Sequence, residues 1–117
     1  MSGSVSYHAG LAAEQIVARH YERSGKPIAE WRWRGQGGEI DLIVRDGEGL
    51  IFVEVKKAED FARAVQRVSP RQVGRIVAAA AEYLGQMPKG ELTDVRFDVA
   101  MVNGRGELQV VENAFGP

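Results

Sequence analysis

The stretch that decides the fold covers residues 38–57 and reads GEIDLIVRDGEGLIFVEVKK. It contains two short runs rich in Ile, Val, Leu and Phe, residues 39–45 and 50–57, on either side of the segment DGEG at 46–49. Apolar runs of this length around a Gly- and Asp-rich turn are typical of a β-hairpin. We therefore predict two antiparallel strands here, and the remaining elements are interpreted around them.

The turn of this hairpin predicts which charged side chains meet. If the loop has an even number of residues, it is centred at 47–48, and positions whose numbers sum to 95 face each other. Asp41 then lies opposite Glu54, and Glu39 lies opposite Lys56. Alternation along each strand puts the four side chains on one face, with cross-strand Cβ atoms about 4.5–5.5 Å apart.

Two carboxylates that meet beside so many apolar neighbours need a positive partner, because like charges repel and their burial is costly. Mg²⁺, or Mn²⁺, is the economical partner, since Mg²⁺ prefers oxygen ligands, accepts one or two carboxylates and keeps positions for water and phosphate. Lys56 could then hold or deprotonate an attacking water. This is the minimum machinery for phosphodiester hydrolysis. The alternative is a surface ion cluster in which Lys56 and Arg34 neutralise the carboxylates.

The elements on either side of the hairpin alternate between helical and strand patterns. Ser69 and Pro70 are the expected N-cap and first residue of the second helix, and Asn103-Gly104-Arg105-Gly106 is a hairpin signal. The segment 59–68 is either a loop or a short helix. The other predicted elements are a helix over residues 7–24, a strand over 28–34, a helix over 70–84, and strands over 95–102 and 108–112. The order α-β-β-β-α-β-β predicts an α/β fold with a mixed central sheet flanked by helices.

Composition narrows the classes of protein that this chain could represent. The 117 residues fit a single domain, and 44% hydrophobic with 26% charged residues is ordinary for a soluble globular chain. The absence of cysteine excludes disulfides, cysteine-bound metals and thiol nucleophiles. The sequence has neither a membrane-length apolar run nor a signal-peptide pattern, so we expect a cytoplasmic protein. The net charge of −1 means that any binding to a polyanion is local.

Glu14 is a further candidate site residue on the first predicted helix. It shares a stripe with Gly10, Ala13, Val17 and Tyr21, so it points toward the core side of that helix. The position suits an additional ligand for a metal or for water. The alternative is a glutamate at the edge of the core that is paired with a nearby arginine.

The motifs GEIDLI at 38–43 and FVEVK at 52–56, together with Glu14, RFDV at 96–99 and ENAF at 112–115, resemble the YraN-like family of small bacterial proteins. That family resembles a branch of the PD-(D/E)xK nuclease superfamily, close to archaeal Holliday-junction resolvases. The resemblance implies a restriction-endonuclease-like αβββαβ core and Mg²⁺-dependent DNA cleavage. The roles that it implies are Asp41 and Glu54 as metal carboxylates, the Val55 carbonyl as a third ligand, Lys56 as the catalytic lysine, and Glu14 and Glu39 as accessory acids.

The sequence departs from the family pattern at positions that line the substrate side in related nucleases. Lys57-Ala58 replaces the usual Thr-Arg, and Gln72, beside Arg71, replaces a lysine of the second helix. Lys57, Arg71 and Gln72 are therefore candidate contacts to nucleic acid.

Arginines supply the other candidate contacts to nucleic acid. Arginines spaced by four positions form one basic ridge wherever the segment that carries them is helical. Two further arginines lie on one face of the first strand, and both groups could contact phosphates. The ridge comprises Arg63, Arg67, Arg71 and Arg75, and the strand carries Arg32 and Arg34. The alternative is a solvated face with ordinary surface charges. Trp31 and Trp33 lie on the opposite strand face, where core packing is expected rather than base stacking.

Two hypotheses about function follow. The first is a metal-dependent endonuclease acting on branched or otherwise structured DNA. A resolvase-like enzyme cuts two strands, so a homodimer is a possible active form. The second is a catalytically inactive module, on the same scaffold, that binds nucleic acid or a partner protein.

Overall fold

A computed structural model of the chain describes residues 3–66 and 68–115. The elements follow the predicted order, and the segment left open between loop and helix forms a short helix. The helices are α1 (Gly3–Arg23), α2 (Phe61–Gln66) and α3 (Pro70–Leu84), with a 3₁₀ turn at Gly90–Leu92. The strands are β1 (Ile28–Arg34), β2 (Glu39–Asp46), β3 (Gly49–Lys57), β4 (Val95–Val102) and β5 (Leu108–Phe115).

The five strands form one sheet in the order β1-β2-β3-β4-β5. Only the β3–β4 pair within this sheet is parallel, and the others are antiparallel. A parallel neighbour requires a crossover connection, which α2 and α3 provide. The structure confirms the predicted mixed sheet flanked by helices, and it is consistent with a restriction-endonuclease-like core.

The two faces of the sheet are covered by different helices. On one face α1 places Val17 and Tyr21 against the β2–β4 strands. On the other face α3 buries Ile76, Ala79 and Tyr83 against the sheet. The side chain of Ser69 accepts a hydrogen bond from the Gln72 backbone N–H, as expected for an N-cap. No helix within the described ranges has the length and hydrophobicity of a bilayer span.

The alternation of side chains in β1 is interrupted, so the prediction for its tryptophans is half wrong. Arg32 has a φ of 48°, in the left-handed region outside the range of extended strand residues, so the regular alternation of faces is broken there. Trp33 packs edge-to-face on Tyr83, with ring centroids 5.3 Å apart. Trp31, which was expected in the core, is 49% exposed.

The basic ridge expected from the four-residue spacing of arginines is not continuous. Arg63 lies on α2 and is paired with Asp60, whereas Arg71 and Arg75 lie on α3. A four-residue spacing places side chains on one face only within a single helix. Here α2 ends at Gln66, before Pro70 begins α3. The predicted contact Arg67 lies outside the described residues.

A fully buried acid connects α1, β4 and β5. The carboxylate of Asp98 accepts hydrogen bonds from the Tyr21 hydroxyl at 2.7 Å and from the Arg96 guanidinium at 2.8 and 3.0 Å. The backbone N–H of Asn113 donates a further bond at 3.0 Å. Burial, followed by the bond to Asp98, raises the pKa of Tyr21 well above its ordinary value, so the hydroxyl stays a donor.

Candidate active site

The β2–β3 hairpin has the predicted register and brings two acids together at its far end. The ladder runs from Asp46 paired with Gly49 to Leu42 paired with Val53, and every pair sums to 95. Asp41 and Glu54 follow one position beyond it and line the same cleft, close enough for the charge of Asp41 to raise the pKa of Glu54. The predicted meeting of the two carboxyls is therefore present in the structure.

The strands no longer pair regularly beyond that point, which changes the surroundings of the acids. The backbone N–H of Val55 donates to Asp41 Oδ2 at 2.8 Å, so a side chain takes the place of a ladder partner. Glu39 does not face Lys56 in the described β2–β3 ladder. It pairs with Arg34 on β1, where the two side chains form an exposed ion pair at 3.2 Å.

Glu54 is buried and Asp41 is half-buried, and the pair is only partly neutralised. Glu54 is 9% exposed, and its nearest cation is Lys56, with Nζ 3.6 Å from Glu54 Oε1. Burial, and then the charge of Asp41, raise the pKa of Glu54 to about 8, against the lowering effect of Lys56. Burial also raises the pKa of Asp41, against the hydrogen bond from Val55. In this arrangement the pair retains a proton near neutral pH.

Gln72 joins the acid and the lysine from the first turn of α3. Its Nε2 donates to Glu54 Oε1 at 3.0 Å, and its Oε1 accepts from Lys56 Nζ at 3.3 Å. The N-cap bond between Ser69 and the Gln72 backbone fixes where this side chain leaves the helix. The sequence predicted Gln72 as a nucleic-acid contact, and the structure places its amide inside the carboxylate cluster.

Glu14 reaches the same site from α1. It is 6% exposed, and both of its carboxylate oxygens accept from Arg32 Nε, at 2.9 and 3.0 Å. Glu14 therefore has the arginine partner that one interpretation predicted, and it also lines the cleft that the other interpretation required. This partly buried ion pair ties Arg32, whose backbone is left-handed, to α1.

These residues surround a cleft of about 360 Å³. Its lining comes from α1, β1, the start of β2, β3 and α3, and consists of Glu14, Arg32, Gly38, Glu39, Asp41, Glu54, Gln72, Arg75 and Ile76. Arg75 is exposed and adds a cation to the lining of the cleft, where Glu39 is an exposed acid. Arg34 and Arg71 are exposed on β1 and at the start of α3.

Lys57 is the candidate contact that the fold places elsewhere. It lines a second cavity of about 810 Å³, together with Arg63 and residues of α1 and of the β4–β5 turn. Successive side chains of a strand point to opposite faces, so Lys57 and Lys56 cannot serve the same cleft.

Glu82 supports the site, and sequence reasoning missed it. Its carboxylate accepts from the backbone N–H groups of Gln36 at 2.9 Å and Gly37 at 2.6 Å. These bonds fasten the glycine-rich β1–β2 loop to α3, where a Cβ at Gly38 would lie 3.1 Å from the Arg75 carbonyl oxygen. The signal available in the sequence was the loop itself, whose backbone donors need an acceptor.

The donor set of the cleft fits a hard divalent cation. No group of three or more His, Cys, Asp or Glu side chains in the described ranges is arranged to hold a metal. Mg²⁺, however, is commonly held by one or two carboxylates, with water in its remaining positions. Asp41 and Glu54 supply two carboxylates whose mutual repulsion a cation would relieve, and the cleft leaves space for water.

Comparison with known proteins identifies the family of this chain. The uncharacterised protein family UPF0102 matches residues 13–102. The chain belongs to the UPF0102 family. This membership supports the resemblance to the YraN-like family that residues 38–43 and 52–56 indicated.

Individual relatives match nearly the whole chain. A UPF0102 protein of Cereibacter sphaeroides strain KD131 is 56% identical over 115 residues, which cover 98% of both chains. One from Ruegeria pomeroyi is 54% identical over 97% of this chain and 93% of its own length. One from Dinoroseobacter shibae is 42% identical over 95% of this chain and 83% of its own length.

Proposed function

We propose that this protein is a metal-dependent endonuclease that hydrolyses phosphodiester bonds in structured or branched DNA in the cytoplasm. The observation that carries the proposal is that Asp41, half-buried, and Glu54, buried, line one cleft that Arg75 also lines. A like-charge pair costs stability, and such pairs cluster at functional sites. A cation and a phosphate would each find complementary groups here.

Asp41, Glu54 and the backbone carbonyl of Val55 are the proposed ligands for Mg²⁺ or Mn²⁺. When bound, the ion neutralises the carboxylates and offsets the charge that develops on the phosphate during hydrolysis. The carboxyl pair contributes by changing its protonation, because the proton that it retains without metal must leave for both oxygens to act as ligands.

Lys56 is the residue proposed to hold or deprotonate the attacking water. Its ammonium lies 3.6 Å from Glu54, and Gln72 accepts a hydrogen bond from it. Both contacts orient the side chain toward the acids and away from bulk solvent. Glu14 and Glu39 are proposed accessory acids that complete the negative lining of the cleft.

Arginines around the cleft are the proposed contacts to the DNA backbone. Arg75 and Arg32 line the cleft, while Arg34 and Arg71 are exposed on the elements that border it. Contacts of this kind read the shape and charge of the backbone rather than base sequence, which suits a structure-selective nuclease. Cutting two strands of a junction would require two copies of the chain, so we propose a homodimer as the form that resolves branches.

A second candidate function is a binding module without catalysis, and Gln72 is the observation that favours it. Its amide occupies hydrogen-bonding positions on both Glu54 and Lys56, where the resemblance to the YraN-like family implies a lysine. A protein of this kind would bind DNA with no dependence on metal.

Cleavage of a labelled DNA panel tests the proposal. The panel contains duplex, single strand, flap and four-way junction, each incubated with Mg²⁺ or Mn²⁺ and with wild type, Glu54→Gln or Glu48→Gln. Glu48 is an exposed control, paired with Lys89 away from the cleft. We expect metal-dependent cutting by wild type and Glu48→Gln but not by Glu54→Gln. Metal-independent binding without cutting, retained in Glu54→Gln, would instead support the binding module.

A further inference from the structure

Trp31 is an exposed aromatic residue that the proposed chemistry does not use. Among the side chains that the structure describes, the exposed large hydrophobic ones are Trp31, Leu92 and Val95. Leu92 lies in the 3₁₀ turn and Val95 at the start of β4, whereas Trp31 lies on β1, an edge strand. An indole ring that is 49% exposed leaves apolar surface in water, and a stacking partner would cover it.

The position of Trp31 in the sheet places it next to the cleft. It precedes Arg32, which lines the cleft, and it pairs in the β1–β2 ladder with Leu42, the residue after Asp41. One strand spacing, about 4.8 Å, therefore separates its backbone from the strand that carries the acid. The left-handed φ of Arg32 is the reason that Trp31 does not share the buried position of Trp33.

The surroundings of Trp31 indicate what kind of partner would cover it. The next exposed side chain along β1 is Arg34, whose ion pair with Glu39 is open to solvent, and Arg75 lines the neighbouring cleft, so a polyanion finds cations near the ring. A second protein strand is not favoured, since the register of β1 shifts between Ile28 and Glu30 and its backbone is irregular at Arg32. A flat, regular edge is what strand addition needs.

We propose that Trp31 stacks on an unpaired DNA base next to the scissile phosphate, an inference that rests on the proposed nuclease function. A base within a duplex is already stacked on its neighbours and cannot cover the ring without being extruded. An unpaired base at a flap, at a junction or in a single strand can cover the ring. Trp31 is thus a specificity residue that favours substrates with unpaired nucleotides beside the cut.

Binding measured without turnover tests the inference. The probes are a labelled flap with a single-stranded oligothymidine arm and the matching fully paired duplex, with Ca²⁺ in place of Mg²⁺. The proteins are full-length wild type, Trp31→Leu, Trp31→Phe and Leu92→Ala, each checked by thermal melting. Leu keeps the apolar bulk without an aromatic face, Phe keeps the face, and Leu92 is an exposed control away from the cleft.

We expect Trp31→Leu to bind the flap about tenfold more weakly, the size of effect that loss of one base stack produces. Its duplex affinity should change less than about twofold, and Trp31→Phe should retain most of the flap affinity. Flap DNA should quench wild-type tryptophan fluorescence more than that of Trp31→Phe. Equal weakening for flap and duplex, or no weakening, would overturn the inference.

Cleavage assays in Mg²⁺ separate this inference from the proposed function. Flap binding that depends on Trp31, with no cutting of any substrate, supports the base contact and contradicts the nuclease. Cutting that requires Asp41 but has the same flap preference in Trp31→Leu contradicts the base contact and leaves the nuclease in place.

Discussion

The sheet contains two clusters of acids, one around Asp98 and one formed by Asp41 and Glu54, and they differ in how far partners within the protein compensate their charge. Asp98 is fully buried and has an internal partner for each oxygen, with Arg96 bonded to both and Tyr21 to one. Glu54 is 9% exposed and Asp41 is half-buried, but their hydrogen bonds come from neutral donors, the Gln72 amide and the Val55 N–H, and Lys56 lies 3.6 Å from Glu54.

The difference separates an acid with a structural role from acids suited to binding a ligand. Burial of a charge is tolerated when partners within the protein replace water, and this is the state of Asp98. For the pair at the cleft, the compensation is incomplete and the pKa of Glu54 is raised to about 8. A cation from solvent could complete the second cluster, whereas the first is complete without one.

The largest expected effect is on stability, at the complete cluster. Asp98→Asn should lower the free energy of unfolding by about 3 kcal/mol, because Arg96 and Tyr21 lose a buried charged acceptor. Urea denaturation measures this loss. Glu112→Gln is the control, since Glu112 contacts Arg96 from a side chain that is 66% exposed, and it should cost less than about 1 kcal/mol. Similar losses in both variants would remove the distinction between the clusters.

At the Asp41–Glu54 cluster, where the charge is not fully compensated, the main effect should be on activity. Asp41→Asn should reduce metal-dependent cleavage about 100-fold or more, equivalent to about 2.7 kcal/mol, because a proposed metal carboxylate becomes a neutral amide. Its thermal stability without metal should be at least that of wild type, since the repulsion of Glu54 is removed. Full cleavage by Asp41→Asn would rule out the nuclease, and a large loss of stability would make Asp41 a structural acid like Asp98.

The pH dependence of stability should also distinguish the clusters. The pKa of Glu54 is raised from 4.5 to about 8 on folding, so the folded protein binds more protons than the unfolded chain between these values. Stability is therefore present at low pH and is lost as the pH rises through about 8. Metal-free wild type should lose on the order of 2 kcal/mol between about pH 5 and about pH 8.

Chemical denaturation in EDTA at several pH values measures this slope, and Glu54→Gln should flatten it. Glu48→Gln, which alters an exposed acid, should keep the slope of wild type. Mg²⁺ or Mn²⁺ should restore stability at the upper pH, because metal replaces the lost proton. An unchanged slope in Glu54→Gln would show that the carboxyl pair is not the source.

The smallest expected effect concerns the arginines of the two clusters. Arg96 is held by Asp98, whereas Arg75 is exposed at the cleft and available to a phosphate. Arg75→Gln should weaken DNA binding a few-fold and reduce the salt slope of the binding constant by about 1. Arg105→Gln, on the β4–β5 turn with a side chain 82% exposed, should change neither quantity. Equal effects of both substitutions would point to diffuse attraction rather than a contact at the cleft.

Much of the fold was predictable because its signals are local. The turn at 46–49 determines the hairpin register, and Ser69 with Pro70 marks the start of α3, so both predictions are confirmed. The meeting of Asp41 with Glu54 follows from the same register. Helical periodicity placed Glu14 on the core side of α1 but left two alternatives, an acid of the site or an acid paired with an arginine. The structure shows Glu14 lining the cleft.

Other features were beyond local patterns because partners distant in sequence decide them. The left-handed Arg32 is stabilised by Glu14, 18 positions earlier, and it exposes Trp31. Glu82 is bonded to a loop 45 positions before it. The break between α2 and α3 separates Arg63 from Arg75, although their spacing suggested one ridge.

By itself the sequence determined the order of elements, the register of the central hairpin and the identity of the acids that meet there. These follow from turn chemistry, capping and the two-residue period of strands, which act over a few positions. The tertiary structure alone decided which acid is neutralised, since Asp98 and Glu54 occupy similar apolar strands in the sequence. Compensation depends on which cations and donors other elements bring within hydrogen-bonding distance, and only the packed fold sets that distance.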